Sequence, residues 1–220
     1  TWLHEGGHAL AMLGTGTGFA SMEVFADGSG LAHATSLAGP VAGAIIAAAG
    51  YMGAPLGGVV LMVAARTPRG ARRALVGLGA ALAITALASI DNEFGQVAIG
   101  ATGAAVIGVA LVPRPRVHLA AAHLLAAQAC VGAVVDIRVL FRPNLVVDGQ
   151  VVRDSDAHAM AVATFGTDAS WAVWTWAAIW IAWSLALLFV VLAWVRRATA
   201  APPSAPAPRP EDSTPARPLP

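Results

Sequence analysis

The 220-residue sequence predicts an all-α polytopic membrane protein of about six transmembrane helices, with a short β-hairpin after the first. Two observations predict this. Hydrophobic residues make up 57% of the chain and charged residues 11%. A soluble domain carries about 25% charged residues, so this composition cannot cover a watery surface. In addition, five apolar runs, at roughly 40–65, 71–90, 94–112, 117–135 and 171–195, are each long enough to cross a bilayer, which takes about 20 residues. Glycine is frequent within them, as expected where helices pack closely in lipid.

The elements follow in order. Apolar residues surround His4 and His8 from Trp2 to about Leu13, too few to span, so we expect the first helix to continue upstream of Thr1. No signal peptide can be read for the same reason. Gly14-Thr15-Gly16-Thr17-Gly18 stops that helix. The short β-like arms at 21–25 and 31–35 flank Asp27-Gly28-Ser29-Gly30 and read as a hairpin, the alternative being an irregular loop. The five spans come next. Trp171, Trp174 and Trp176 open the last one like an interfacial aromatic belt, while Trp180 and Trp183 lie deeper, packed inside or facing lipid. From Ala198 to Pro220 the chain holds eight of its fourteen prolines. We read 1–197 as the membrane domain and 198–220 as a disordered Pro/Ala-rich tail.

Charge sets the orientation. All thirteen basic residues are arginine. Arg66, Arg69, Arg72 and Arg73 share one loop, Arg114 and Arg116 another, and Arg196 and Arg197 follow the last span. Those three places alternate correctly for five spans, which makes them, and the C-terminal tail, cytoplasmic. Asp91, Glu93, Asp148, Asp154, Asp156 and Asp168 lie opposite, together with Arg138, Arg142 and Arg153. A net charge of +1 excludes a nucleic-acid partner, which needs a basic patch. The single Cys130 allows no intrachain disulfide and reads as a packing residue.

The chemistry starts at His4-Glu5-Gly6-Gly7-His8, an H-E-x-x-H motif. The i, i+4 spacing puts both imidazoles on one helix face, where they can share a metal, and Glu5 stands ready to take a proton from water. With six His and four Glu in the chain, chance produces this pattern at about 0.003 per sequence.

Catalytic zinc takes three protein ligands. Asp136 is the candidate third one. It ends an apolar run at a depth where an ionisable group is costly, and it falls at the non-cytoplasmic end of its span. The competing reading pairs it with Arg138 or Arg142 at the interface. Asp91 sits in Asp91-Asn92-Glu93, an ordinary polar turn. His123 lies thirteen residues before Asp136, or about 20 Å along a helix, too far to share its metal. An interhelical hydrogen bond fits His123 better. His118 falls at the cytoplasmic interface, and His33 in the hairpin arm is either solvated or close to a substrate.

These residues resemble a known family. His4-Glu5-Gly6-Gly7-His8-Ala9-Leu10, the Asp27–Gly30 turn, Ala49-Gly50-Tyr51, Asp136-Ile137 and the later Ser155-Asp156-Ala157 with Thr164 and Trp171 are together similar to the bacterial branch of the site-2-protease-like membrane zinc peptidases. The likeness covers most of 1–195. It implies zinc held by His4, His8 and Asp136, with Glu5 as general base. It also implies membrane-associated protein or peptide substrates and a bacterial plasma membrane. Asp136 is not followed by glycine, no Asn-x-x-Pro precedes it, and no inserted peptide-binding domain is present. The leading expectation is therefore a zinc-dependent intramembrane peptidase. The alternatives are a metal-binding membrane scaffold without turnover and a small transporter; the latter needs ionisable groups through several spans, where His123 stands almost alone.

Overall fold

Each long apolar run becomes one helix, and proline opens three of them, at Pro40, Pro68 and Pro115. Proline suits the first helical turn, where its missing N–H would have had no partner. The computed structural model describes residues 1–137, 145–147, 150–152 and 155–199. Its elements are α1 (Trp2–Gly14), β1 (Phe19–Val24), β2 (Gly30–Ala34), α2 (Pro40–Ala64), α3 (Pro68–Ala88), α4 (Glu93–Leu111), α5 (Pro115–Ile137), β3 (Leu145–Val147), β4 (Gln150–Val152), α6 (Asp156–Phe165) and α7 (Ser170–Thr199). Five helices, α2, α3, α4, α5 and α7, are long and apolar enough to cross a membrane. Together with α1 and its hairpin they bear out the expected architecture. Residues 200–220 of the expected tail lie outside the described residues, as do Arg138, Arg142, Asp148, Arg153 and Asp154.

The hairpin forms as the turn chemistry requires. Gly28 adopts φ 88°, a conformation open to glycine. The Asp27 carboxylate accepts from the backbone N–H and the hydroxyl of Ser29 at 2.9 and 2.6 Å, an Asx arrangement. β1 and β2 pair antiparallel from Phe19↔Ala34 to Val24↔Gly30, with one irregularity between Phe19 and Ser21. The hairpin lies along α1, and the Thr1 hydroxyl donates to the Gly28 carbonyl at its turn.

The α3–α4 connection grips the hairpin from its other side. Met22 N–H donates to Ser89 O at 2.7 Å and Asp91 N–H to Met22 O at 3.1 Å. The Asn92 side chain then closes a two-way clamp on Val24: its Oδ1 accepts from the Val24 N–H at 3.1 Å and its Nδ2 donates to the Val24 carbonyl at 2.6 Å. What reads in sequence as a plain polar turn is a docking point for β1.

Helix packing rests on small residues. A Cβ at Gly79 would fall 2.9 Å from the Gly103 carbonyl oxygen, and one at Gly103 would fall 2.9 Å from that of Gly79. α3 and α4 therefore approach backbone to backbone, the contact that small residues permit in lipid. One core cluster, including Leu75, Leu82, Ile90 and Val106, joins these helices to the hairpin. A second, around Tyr51, Met160, Val173 and Trp180, joins α2, α6 and α7. Trp180 is thus packed inside, whereas Trp171 and Trp174 are exposed.

The arginine-bearing loops share one end of the bundle because successive spans reverse direction. Arg72 Nε donates to Ala110 O at 3.0 Å, and the Arg66 guanidinium sits 4.2 Å over the Trp194 ring. The first contact joins α3 to α4, and the second joins the α2–α3 connection to α7. The hairpin and the C-terminal end of α5 lie at or toward the other end.

Asn92→Ala removes both bonds to Val24 and leaves its backbone groups without their partners. We expect a loss of about 1–3 kcal/mol, seen as a lower unfolding temperature with accelerated amide exchange at Val24 and Met22. Unchanged exchange at those two amides would show that the clamp does not hold the hairpin.

Candidate metal centre

The motif helix α1 carries alternating commitments. Leu10 and Leu13 are exposed, while Glu5, Gly7, His8, Ala9 and Met12 are buried. That buried face lies against α2 at a place where side chains are nearly absent. A Cβ on Gly7 would run into the backbone carbonyl of Ala49. A Cβ on Gly50 would fall 2.5 Å from His8 Nε2 and 2.6 Å from His4 Nε2. Glycine at 50 thus leaves the space into which both imidazoles point. Gly50 lies ten residues into α2, about 15 Å from its start, so the cluster is sunk within the bundle.

The third member comes from α6. Ser155 caps this helix: its hydroxyl accepts from the His158 N–H at 3.4 Å and pairs with His158 Nδ1 at 2.7 Å. Gly166 ends it in the left-handed conformation, φ 67°. Asp156, the first helical residue, is thereby aimed at α1. Its Oδ2 lies 3.2 Å from His4 Nε2 and 3.2 Å from His8 Nε2, and the two nitrogens are 3.0 Å apart.

Three ligand atoms in a triangle of 3.0–3.2 Å fit a metal. Bonds of about 2.0–2.1 Å in a tetrahedral zinc shell put ligand atoms about 3.3 Å apart. The donor set agrees. The Ile46 carbonyl can only accept, so His8 donates to it from Nδ1, at 2.7 Å. With Nδ1 committed to that carbonyl, Nε2 is the atom His8 turns toward the site, the backing usual for a ligating histidine. A carboxylate and imidazole lone pairs converging on one point call for a cation or protons between them. Burial alone pushes the Asp156 carboxyl up, but the His8 and His4 imidazoles outweigh it and hold the group below the usual carboxylate range. Among the described residues, His4, His8 and Asp156 are the group whose ligand atoms could hold a metal ion.

Glu5 is buried beside this triangle, within electrostatic reach of His4, His8 and Asp156. Gly30 of β2 covers it closely: a Cβ there would meet Glu5 Oε1 at 2.8 Å. The hairpin therefore roofs the carboxylate that the motif places next to the metal position.

The structure brings Asp156, rather than the expected Asp136, to the two histidines. Asp136 is exposed near the C-terminal end of α5. It lines a cavity of about 560 Å³ between α1, α2, α3 and α5, whose walls include Leu3, His4, Gly57, Leu78 and Gln128. His123 donates within its own helix to Leu119 O at 2.7 Å, and His118 bonds Val112 O at 2.8 Å. The interhelical bond expected for His123 is therefore an intrahelical one. His33 pairs with Glu23 across the hairpin at 3.2 Å. Asp91 donates its backbone to Met22 as described above. Depth in an apolar run singles out Asp136, which the fold leaves away from the two histidines. A Ser N-cap opening a ten-residue helix at Ser155-Asp156 is the signal available for Asp156.

The class this points to is a helical membrane protein with a histidine pair, a carboxylate and a glutamate gathered at one buried point. The family model Peptidase M50B-like matches residues 1–191. The chain belongs to that family, which is the site-2-protease family. No curated protein and no solved structure matches the chain.

Gly50→Ala pushes a methyl into the space that the two Nε2 atoms face. We expect overpacking of about 1–3 kcal/mol and zinc affinity lower by about 10–100-fold, measured by competition with a chromogenic chelator. Unaltered affinity would mean that α2 does not shape the histidine pair.

Proposed function

We propose that this protein is a zinc-dependent peptidase that hydrolyses peptide bonds of membrane-associated protein or peptide substrates within the bilayer. The observation that carries this reading is the convergence of His4, His8 and Asp156 at one buried point next to Glu5. His4, His8 and Asp156 would hold the metal. When bound, zinc supplies Lewis acidity toward a scissile carbonyl and toward water. His8 keeps its Nε2 lone pair directed inward through its bond to Ile46. Asp156 adds the negative charge that offsets the ion. Glu5 accepts a proton from the attacking water and passes it to the leaving amine.

The cavity that reaches His4 gives an apolar substrate segment a path to this point. Its wall is mostly Ala, Gly and Leu from α2, α3 and α5, with Gln128 and Asp136 as polar interruptions. Such a wall excludes bulk water while accepting a hydrophobic chain. Belonging to a membrane peptidase family supports the reaction class. The resemblance to the bacterial branch supports a bacterial plasma membrane, and the positive-inside bias of the loops supports a cytoplasmic arginine-bearing end and C-terminal tail.

Two measurements test the assignment together. Purified protein should hold one zinc per chain. His4→Ala and Asp156→Ala should lose most of it, whereas Asp136→Asn should retain it. Retention of zinc in Asp156→Ala with loss in Asp136→Asn would transfer the ligand role back to Asp136. Glu5→Gln should keep zinc and lower the cleavage rate of a single-span fusion reporter by about 10²–10⁴-fold. Equal cleavage by wild type and Glu5→Gln would remove the peptidase reading; zinc binding with no cleavage by either would leave a metal-binding scaffold.

A further inference from the structure

Tyr51 is the single tyrosine of the chain and follows Gly50, the glycine beneath the two imidazoles. Its ring is held on two sides. The His4 ring meets it edge-on at a centroid distance of 4.5 Å and 83°, and Trp180 stacks on it at 4.6 Å and 14°. Trp180 is itself fully buried, so this stack forms a rigid wall. Tyr51 is 8% exposed, yet no described residue hydrogen-bonds its hydroxyl. Buried tyrosines ordinarily find such a partner. The ring packs edge-on against His4, whose Nε2 is one corner of the ligand triangle, so Tyr51 stands directly beside the metal position.

A phenol is an O–H donor at neutral pH. Held by two rings, with no protein acceptor, it is preorganised to donate to a group that arrives with the substrate. Resting acceptors are already provided for: His8 and Asp156 bond within the cluster. An acceptor that gains negative charge during reaction benefits most from such a donor.

Resting on the peptidase reading above, we propose that Tyr51 is a further catalytic residue whose hydroxyl donates a hydrogen bond to the scissile carbonyl oxygen as it becomes an oxyanion. Water attack breaks the carbonyl π bond and moves its electron pair onto that oxygen, and Glu5 takes the water's proton. Tyr51 keeps its own proton throughout. It stabilises the developing charge from α2, the helix that also carries Gly50 beneath the two imidazoles. Because the donation strengthens with the charge, it lowers the barrier more than it tightens substrate binding.

The test uses the full chain in nanodiscs, loaded with zinc, and its Tyr51→Phe variant, which keeps both ring contacts. Zinc content and unfolding temperature should match wild type. Cleavage of the fusion reporter should fall about 10²-fold in kcat, with KM changed by less than about twofold. Affinity for a tripeptide phosphinate, whose tetrahedral oxygen imitates the oxyanion, should fall by about the same 10²-fold. Labelling with [13Cζ]-tyrosine gives one resonance in unmutated protein, and it should shift when the phosphinate binds.

A Tyr51→Phe protein with wild-type kcat and phosphinate affinity overturns the proposal, and so does an unmoved tyrosine resonance. Loss of zinc in that variant also overturns it, because the ring would then be only a support for His4. If wild type cleaves and Glu5→Gln does not, such results remove Tyr51 alone. If wild type and Glu5→Gln cleave alike, the peptidase reading fails and the role of Tyr51 falls with it.

Discussion

The close approach of α1 and α2 is the constraint on which the rest of the site depends. Gly7 lies against the Ala49 carbonyl, and Gly50 leaves open the space under both imidazoles. Only with two glycines facing each other can His4 and His8 sit this deep against a neighbouring backbone. The same contact brings the Ile46 carbonyl to His8 and the Tyr51 ring to His4. One local absence of side chains thus fixes the orientation of one histidine and the ring position of the other.

Around that contact the fold solves an awkward problem of solvent. A polar cluster within an apolar bundle is costly unless its members satisfy one another. Here each polar group has a backing element: α2 behind His8, α6 behind Asp156, and the hairpin over Glu5. The hairpin is itself secured by Asn92 and Met22 to the α3–α4 connection. Charges elsewhere collect at the bundle's ends, where long arginine side chains reach water. The Arg66–Trp194 stack belongs to that interfacial layer.

Much of this was legible in the sequence. Length and hydropathy located the five spans to within a few residues, since a bilayer imposes one length on every crossing. The His4–Glu5–His8 face followed from helical periodicity, which is local. Asp156 was not legible by those means. It meets α1 only through a contact 152 residues away in sequence, and depth in an apolar run drew attention to Asp136 instead. Both aspartates flank the same region; what separates them is that a Ser155 cap turns one toward α1 while α5 leaves the other facing a cavity. The Asn92 clamp was invisible for a similar reason. A polar turn and a docking point have the same composition, and only the partner strand distinguishes them.

The 152-residue separation of His4 and Asp156 also sets an order of events during biosynthesis. At about 5–20 residues per second, roughly eight to thirty seconds pass between synthesis of the histidine pair and synthesis of the aspartate. Four spans, α2 to α5, are made in that interval. The nascent chain therefore carries an incomplete site through most of its insertion. The cluster of His4, His8 and Asp156 is complete only when α6 folds back onto α1, after the four spans between them have been made. The separation in sequence thereby acts as a timer, keeping the polar cluster unfinished while apolar chain is still being inserted.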